Sequence, residues 1–304
     1  MEHYVTIFDS GFLPQGMALA RSLSEHGGDH VLWVVTVDRD AEQALAELSL
    51  PNVRVLPLAE VETDRLRAVK GGRTRAEYCW TLTPFAPRFV FDREPGSERV
   101  TYVDADLWFR RSPKPILDEL DRSGKTVLIT EHAFALQYES SRKTSGTYCV
   151  QFLTFTRAAE PVRKWWEERC LEWCFARYEN GKFGDQKYLE DWPERFPAHV
   201  HVLENRGWAL APWNATRFPA GDAIFYHFQG LRLISPRWIS IGAYPVPQSV
   251  VREIYRPYMR EIRTAVRKLN EVTSLPFQQR DLKGALKLFG YRTAFRLKSA
   301  WMKR

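Results

Sequence analysis

The chain has 304 residues, of which 44% are hydrophobic and 27% are charged, an ordinary globular composition with enough length for a large core. It contains no run of 18 or more apolar residues, which excludes a membrane-spanning helix. The net charge of +7 is unevenly placed, because residues 251–304 carry 14 Lys and Arg against 4 Asp and Glu. The first 250 residues are therefore slightly acidic, which argues against nucleic acid as a partner.

The cysteines and the first residues bear on the compartment. None of the four cysteines lies in a Cys-x-x-Cys pair, so a zinc or redox site is not indicated. The start, Met1-Glu2-His3, lacks a basic and then apolar leader. We therefore expect a cytoplasmic protein.

Strands and helices alternate from the first residues onwards. Apolar patterns predict strands at 4–8, 31–37 and 53–56, with helices at 16–25 and 41–48. This order predicts a right-handed, mostly parallel central sheet flanked by helices, a Rossmann-like α/β architecture. No Gly-x-Gly-x-x-Gly motif follows the first strand, so the usual dinucleotide-binding fold is not indicated.

The middle of the chain continues this pattern with longer connections. A helix is predicted from 73 to about 90, with a break near Pro84 and Pro87, followed by a strand over 100–103 and a helix at 113–120. Strands at 126–130 and 149–156 and a helix at 160–178 come next. A turn and helix at 181–189 and strands at 200–203 and 223–228 complete this part. Residues 131–147 and 207–214 are predicted loops, and loops at this edge of an α/β sheet commonly cover substrates.

The last 54 residues have a different pattern, so we divide the chain into a domain at 1–250 and a basic amphipathic helical extension at 251–304. Apolar and basic residues share a predicted helix from Tyr255, and the mixture recurs over 282–301. Either the two helices pack on the body with a solvated basic face, or they bind an anionic membrane surface reversibly.

Two carboxylates follow the strand over 100–103. Asp104 and Asp106 point the same way if the extended conformation persists, because side chains of a strand alternate in direction. Like charges so close are stabilised by a divalent cation, and their hard oxygen atoms suit Mg²⁺ or Mn²⁺. The alternative is a solvated turn, since Asp-x-Asp alone is a weak motif.

These residues, with later motifs in the same order, resemble a known group. Tyr102 to Leu107 resembles the Asp-x-Asp strand of GT-A fold glycosyltransferases, and Gly184-Asp185-Gln186 and His227-Phe228-Gln229-Gly230 resemble later motifs of glycosyltransferase family 8. Residues 73–80, 165–173, 181–193 and 210–214 are similar to bacterial nucleotide-diphospho-sugar transferases. The resemblance covers roughly residues 4–235.

The resemblance implies a metal site. Asp104 and Asp106 would bind Mn²⁺ or Mg²⁺, with His227 as the third protein ligand, and an imidazole nitrogen favours manganese. By itself, a histidine such as His227 is more often a core or rim residue than a metal ligand, but its place at a strand end before Phe-Gln-Gly favours the ligand.

The resemblance also implies how a nucleotide-diphosphate sugar is held, with a UDP-sugar favoured. Asp9 and Ser10 would contact the base or ribose, although Asp9 alone is equally a turn residue. Arg75 would lie over the diphosphate or sugar; its alternative is a pairing with Glu77 or solvent. Lys187 would reach phosphate or lie on a solvated helix face.

The sugar itself would be held by residues of the later motif. Asp185 would bind sugar hydroxyls and Gln186 would lie near the anomeric carbon. Trp208 and Trp213 stack on a sugar or acceptor, or form the core of their loop.

We therefore expect a metal-dependent glycosyltransferase of the retaining kind that acts on a glycan or lipid-linked acceptor in cell-surface glycan assembly. We expect it in the cytoplasm, peripheral at the inner face of the cell membrane. The alternative is a catalytically decayed nucleotide-sugar-binding or membrane-surface scaffold. It is motivated by Cys149-Val150-Gln151, where relatives carry Asn and Gly. A phosphatase of the haloacid dehalogenase kind is disfavoured, because its aspartates lie on the first strand.

Overall fold

The structure is a computed structural model that describes residues 1–235 and 238–275. The predicted basic helix at 282–301 lies outside the described residues. Within the described part of the chain, no helix has both the length and the apolarity needed to cross a bilayer.

Twelve strands and twelve helices are labelled here in chain order across the described residues. The strands are β1 Glu2–Phe8, β2 His30–Thr36, β3 Val53–Pro57, β4 Arg99–Val103, β5 Leu107–Phe109, β6 Val127–Glu131, β7 Tyr148–Thr156, β8 Val200–Val202, β9 Ala209–Leu210, β10 Phe225–His227, β11 Arg232–Ser235 and β12 Trp238–Ser240. The helices are α1 Leu13–His26, α2 Arg39–Leu48, α3 Leu58–Val61, α4 Asp64–Lys70, α5 Arg75–Leu82, α6 Ala86–Arg93, α7 Lys114–Ser123, α8 Arg142–Ser145, α9 Glu160–Glu172, α10 Trp192–Arg195, α11 Gln248–Val250 and α12 Arg256–Val272.

A seven-stranded sheet in the order β3-β2-β1-β4-β7-β6-β8 forms the centre of the protein. Strands β3, β2, β1 and β4 run parallel to one another, and β7 is antiparallel to both of its neighbours. Alternate residues of β1 face opposite layers: Val5 and Ile7 pack with α5, α6 and α9, whereas Tyr4 and Phe8 pack with α1, α2 and α7. The predicted α/β architecture with a mostly parallel sheet is confirmed.

The direction of these strands positions the site. Because β1, β2 and β4 are adjacent and parallel, the residues that follow their carboxyl ends meet at one edge of the sheet. Ligands of open α/β sheets bind at such an edge.

Several element boundaries differ from the sequence-based prediction. Helices α3 and α4 were not predicted, and residues 131–147, predicted as a loop, contain a 3₁₀ helix at Leu136–Ser141 followed by α8. The helix predicted over 160–178 ends at Glu172, because Arg73 donates to the Leu171 carbonyl and Tyr188 to that of Trp173. These side-chain donors satisfy carbonyl groups that would otherwise bond to amides of a further helical turn.

A small sheet, β5-β10-β9, lies beside the edge of the central sheet. Strand β10 pairs antiparallel with β5, in a register that sets His227 opposite Leu107. The histidine is therefore placed next to the turn that carries Asp104 and Asp106.

Helix α12 packs against this small sheet and against α1. The rings of Phe228 and Tyr258 are stacked with centroids 3.6 Å apart, and Ile262 and Leu269 are fully buried. The apolar face of this helix is therefore covered by the rest of the protein, and its exposed arginines lie on the other face. This agrees with the first of the two alternatives given above, in which the helix packs on the body with a solvated basic face.

Candidate active site

The turn after β4 is held in place by backbone hydrogen bonds. The amide of Asp104 donates to the Gln151 carbonyl at 3.0 Å, and the Leu107 amide donates to the Asp104 carbonyl at 3.1 Å. The amide of Phe228 donates to the Asp106 carbonyl at 2.9 Å. The two aspartates thus stand on a turn rather than on an extended strand, which differs from the geometry expected from the sequence.

The structure brings Asp104, Asp106 and His227 together. The His227 Nε2 atom lies 3.2 Å from Asp106 Oδ1 and 3.5 Å from Asp104 Oδ2. The three ligand atoms all lie within 4.8 Å of one another. Two carboxylate oxygens and one imidazole nitrogen therefore face a common point, which is a donor set that suits a divalent cation.

Asp106 and His227 are buried and Asp104 is partly buried, and the three groups shift one another's pKa values. Burial raises the pKa of Asp104 against the opposing charge of His227. Burial acts in the same sense on Asp106, but the charge and hydrogen bond of His227 outweigh it and lower the Asp106 pKa. The two carboxylates in turn raise the pKa of His227 well above its ordinary value despite its desolvation. Without a metal ion, a proton on the imidazole balances the carboxylates.

The other sides of His227 are fully occupied by protein. Its Nδ1 atom lies 2.9 Å from Gln151 Oε1, and the edge of the Trp213 ring packs against it with centroids 5.4 Å apart. Trp213 is buried and donates its indole N–H to the His132 carbonyl at 2.8 Å. Trp213 is thus part of the wall behind the histidine, as the loop-core interpretation expects; Trp208 packs in part against the core beneath β9.

Asp185 lies close enough to this cluster to interact electrostatically with it. It follows Gly184, whose φ of +53° is left-handed and whose α-carbon faces the Trp80 ring. The carboxyl group is buried, and its Oδ2 atom has no hydrogen-bond partner among the described residues. Burial, followed by the charge of Asp104, raises the pKa of Asp185 to about 8.

The residues after Asp185 hold the segment 136–145, which connects β6 to β7. Gln186 Nε2 donates to the Ser145 carbonyl at 2.8 Å, and Lys187 Nζ lies 3.4 Å from both the Arg142 carbonyl and Glu190 Oε2. Lys187 is thus largely covered rather than on a solvated helix face.

A second polar cluster stands at the carboxyl ends of β1 and β2. Arg75 Nη1 lies 3.3 Å from Asp9 Oδ2 and 3.0 Å from Asp38 Oδ2, so its partners are these acids and not Glu77. Ser10 donates through its amide and its hydroxyl to Asp38. The predicted residues Asp9, Ser10 and Arg75 are therefore brought together.

Asp38 is a member of this cluster that was not predicted. It also caps α2 by accepting from the Ala41 amide at 3.0 Å. Its place in the sequence could have indicated this role, because it lies two residues after the end of β2, the neighbour of the strand that Asp9 follows.

Solved structures that resemble this one include glycosyltransferases. The galactosyltransferase LgtC in complex with donor and acceptor sugar analogues has a TM-score of 0.55 at 13% identity, covering 90% of this chain and 97% of that one. Mouse xyloside xylosyltransferase 1 has a TM-score of 0.54 at 15% identity, covering 81% and 99%. The fold is therefore the GT-A fold of glycosyltransferases.

Sequence relatives assign the chain more closely. It is 32% identical to the uncharacterized protein YfnF of Bacillus subtilis (strain 168) over 251 residues, which cover 76% of this chain and 82% of YfnF. It is 28% identical to the uncharacterized protein YfnD of the same strain over 289 residues, covering 90% and 91%. The chain belongs to the same protein family as YfnF. No model in a scan of described protein families matches it.

Proposed function

We propose that this protein is a metal-dependent glycosyltransferase that moves a sugar from a nucleotide-diphosphate sugar to a hydroxyl acceptor. The observation that carries the proposal is the convergence of Asp104, Asp106 and His227 at the ligand-binding edge of a GT-A fold. The similarity to solved glycosyltransferases supports the fold on which this site stands.

The chemistry of the three donors fits a divalent cation. Asp104 and Asp106 would supply hard oxygen atoms and His227 a nitrogen, a mixed set that favours Mn²⁺ over Mg²⁺. When bound, such a cation supplies Lewis-acid neutralisation of a diphosphate leaving group. The protein's part is to keep the two carboxylates and the Nε2 atom directed to one point, and the backbone bonds of the 104–107 turn hold the two aspartates in place for this.

The cluster of Asp9, Ser10, Asp38 and Arg75 supports a nucleotide site at the neighbouring strand ends. The carboxylates of Asp9 and Asp38 are acceptors for the N–H or hydroxyl groups of a base or ribose, and a uracil nucleotide is the donor we favour. The Arg75 side chain is 60% exposed although both acids hold it, so its remaining N–H donors are free to face a phosphate.

The unpartnered oxygen of Asp185 supports a sugar site. A sugar hydroxyl that donates to Oδ2 would satisfy a buried acceptor that otherwise costs free energy. Gln186 would then stand beside the anomeric carbon. Lys187 would reach phosphate only by exchanging its contacts with Arg142 and Glu190, so its immediate effect is to hold the end of the segment that connects β6 to β7.

We propose a glycan or lipid-linked acceptor in cell-surface glycan assembly, with the protein acting on the cytoplasmic side of the membrane and the anomeric configuration retained. Because α12 buries its apolar face, contact with anionic lipid would rest on its exposed arginines, among them Arg256, Arg260 and Arg267.

A thermal-shift screen of nucleoside diphosphates and their sugars, with and without Mn²⁺, tests the proposal. A ligand that binds only the folded protein raises its stability by RT ln(1 + [L]/Kd), so the correct donor gives the largest shift, and only with the cation. The best donor is then assayed for hydrolysis and transfer. No shift with any donor and Mn²⁺ would exclude this function.

A nucleotide-sugar-binding scaffold is the second candidate function. The specific observation that favours it is the Cys149-Val150-Gln151 strand, which departs from the Asn and Gly of related enzymes and lies against His227. Binding of a donor with Mn²⁺ but no turnover on any acceptor would support the scaffold.

A further inference from the structure

Gln151 contacts two of the three residues in the proposed cation site. It lies in β7 and is fully buried. Its Oε1 atom is 2.9 Å from His227 Nδ1, and its backbone carbonyl accepts from the Asp104 amide at 3.0 Å. One residue of the central sheet therefore joins the turn after β4 to the histidine of β10.

The hydrogen bonds around Gln151 determine which way its amide faces. Thr130 Oγ1 donates to the Cys149 carbonyl at 3.4 Å, because a carbonyl can only accept. The same hydroxyl oxygen then accepts from Gln151 Nε2, also at 3.4 Å. The amide oxygen is thereby left to face His227, where it accepts the proton on Nδ1.

A proton fixed on Nδ1 leaves the Nε2 lone pair of His227 free for the cation. Histidine ligands of metal ions commonly donate their second ring N–H to an oxygen, which sets both the tautomer and the orientation of the ring. We propose that Gln151 is the positioning residue that holds His227 in the Nδ1–H form with Nε2 directed between Asp104 and Asp106. This inference rests on the proposed metal-dependent function.

Packing alone does not require a glutamine at this position. A buried amide loses its hydrogen bonds to water, and the hydrogen bonds that it makes inside the protein contribute only about 1 kcal/mol of net stability. A leucine of similar volume would therefore fill the same space in the core at no large cost in stability. The amide instead gives His227 a directed acceptor that no aliphatic side chain provides. Its presence is thus explained by orientation of the imidazole.

The first test measures the cation itself. Free Mn²⁺ is followed by electron paramagnetic resonance in the presence of UDP for the full-length wild type, Gln151→Leu and Gln151→Glu. We expect Gln151→Leu to weaken Mn²⁺ binding by about 10- to 100-fold, whereas Gln151→Glu, which keeps an acceptor for Nδ1–H, binds at least as tightly as the wild type. Gln151→Met, which has nearly the same length and no amide, replaces the leucine variant if that one does not fold.

A variant on the same strand provides the matched control. Thr154→Val removes a buried hydrogen bond to Thr101, which measures 2.9 Å, but lies away from the cluster. It should lower the melting temperature without changing the Kd for Mn²⁺. If Gln151→Leu also keeps the wild-type Kd while Asp106→Asn loses binding, the inference is overturned and the proposed function stands.

The second test needs no metal. In protein with ¹⁵N-labelled histidine, the Nδ1–H proton of His227 should be protected from solvent exchange, and it is assigned by its loss in His227→Asn. In the metal-free protein the imidazole is protonated on both ring nitrogens, so the measured quantity is the chemical shift of Nδ1–H, which reports its hydrogen bond. The signal should lie downfield in the wild type, Gln151→Glu and Thr154→Val, and move upfield in Gln151→Leu and Gln151→Met. An unchanged shift in the leucine variant overturns the inference, whereas a wild type that binds no Mn²⁺ overturns the proposed function and leaves this measurement to decide on Gln151.

Discussion

The Nε2 atom of His227 lies 3.2 Å from Oδ1 of Asp106, although Asp106 stands on the turn after β4 and His227 lies in β10, more than a third of the chain later. The pairing of β10 with β5 produces this contact, because it sets His227 opposite the residue that follows Asp106. A metal site built in this way depends on the small sheet as much as on its ligands.

Replacing Asp106 by Asn tests the metal ligand while preserving the volume of the side chain. We expect donor turnover with Mn²⁺ to fall by roughly 100-fold, since a lost ligand removes about 3 kcal/mol of transition-state stabilisation. Hydrolysis of the donor is the measurement, with circular dichroism to confirm folding. Asp118→Asn, which alters only a surface pair with Lys114, serves as the control and should retain full activity. Equal turnover in both variants would remove Asp106 from the site.

Arg75→Ala should weaken donor binding. Its guanidinium stands beside Asp9 and Asp38, so the variant loses a charge-assisted contact to phosphate, and we expect KM for the donor to rise by about 10-fold or more. Arg65→Ala removes an exposed arginine that pairs with Glu168 and should leave KM unchanged. A KM that is the same for Arg75→Ala and the wild type would place the diphosphate elsewhere.

Asp185→Asn should stabilise the metal-free protein in a pH-dependent way. Burial and Asp104 raise the folded-state pKa of Asp185 to about 8, so the folded protein holds this proton more tightly than the unfolded chain does. Raising the pH from about 4 towards 8 therefore removes stability from the wild type but not from the variant. The difference in unfolding free energy between Asp185→Asn and the wild type, measured by chemical denaturation across this range, should widen to a few kcal/mol and then level off. If this difference does not change with pH, the pKa of the Asp185 carboxyl group is the same in the folded protein as in the unfolded chain.

Gly184 and Gly181 form a matched pair for testing the turn that precedes Asp185. Both have positive φ, +53° and +77°, so alanine at either position should cost about 1 kcal/mol of stability. A β-carbon would lie 3.3 Å from the Trp80 ring at Gly184 and would have nothing within 4 Å at Gly181. We therefore expect only Gly184→Ala to displace Asp185 and lower donor turnover. Equal activity losses would mean that backbone strain alone matters.

The basic face of α12 can be tested with lipid vesicles. Glutamate at Arg256, Arg260 and Arg267 should reduce co-sedimentation with anionic vesicles, since each arginine near such a surface contributes about 1 kcal/mol. The same number of reversals on the opposite side of the body, at Arg65, Lys164 and Arg195, controls for net charge. Loss of binding in both sets, or in neither, would argue against this face as the contact.

Local patterns sufficed for much of this fold. The alternation of apolar strands and helices over the first residues predicted β1 to β3 and α1 to α2 within a few residues, because each element carries its own hydrophobic pattern. Short elements such as α3 and α8 have too few residues for a periodic signal, and tertiary contacts determine them.

The candidate site was predictable where a motif sits at a strand end. Asp104, Asp106 and His227 could be chosen in this way, and the structure brings them together. Gln151 could not be assigned a partner, because its hydrogen bond to His227 depends on the order of the strands and on how the small sheet meets the central one. Residues 149–151 alone therefore do not indicate that Gln151 contacts His227.

The stacking of Phe228 on Tyr258 supports the position of His227. Phe228 is the immediate neighbour of His227, and the phenol of Tyr226 on the other side lies 3.3 Å from that of Tyr255. The histidine is thus buttressed by the very segment whose arginines face outwards. Because these rings are shared, the position of His227 depends on how this segment packs, and a chain without residues 255–272 would lose the aromatic support on both sides of the histidine.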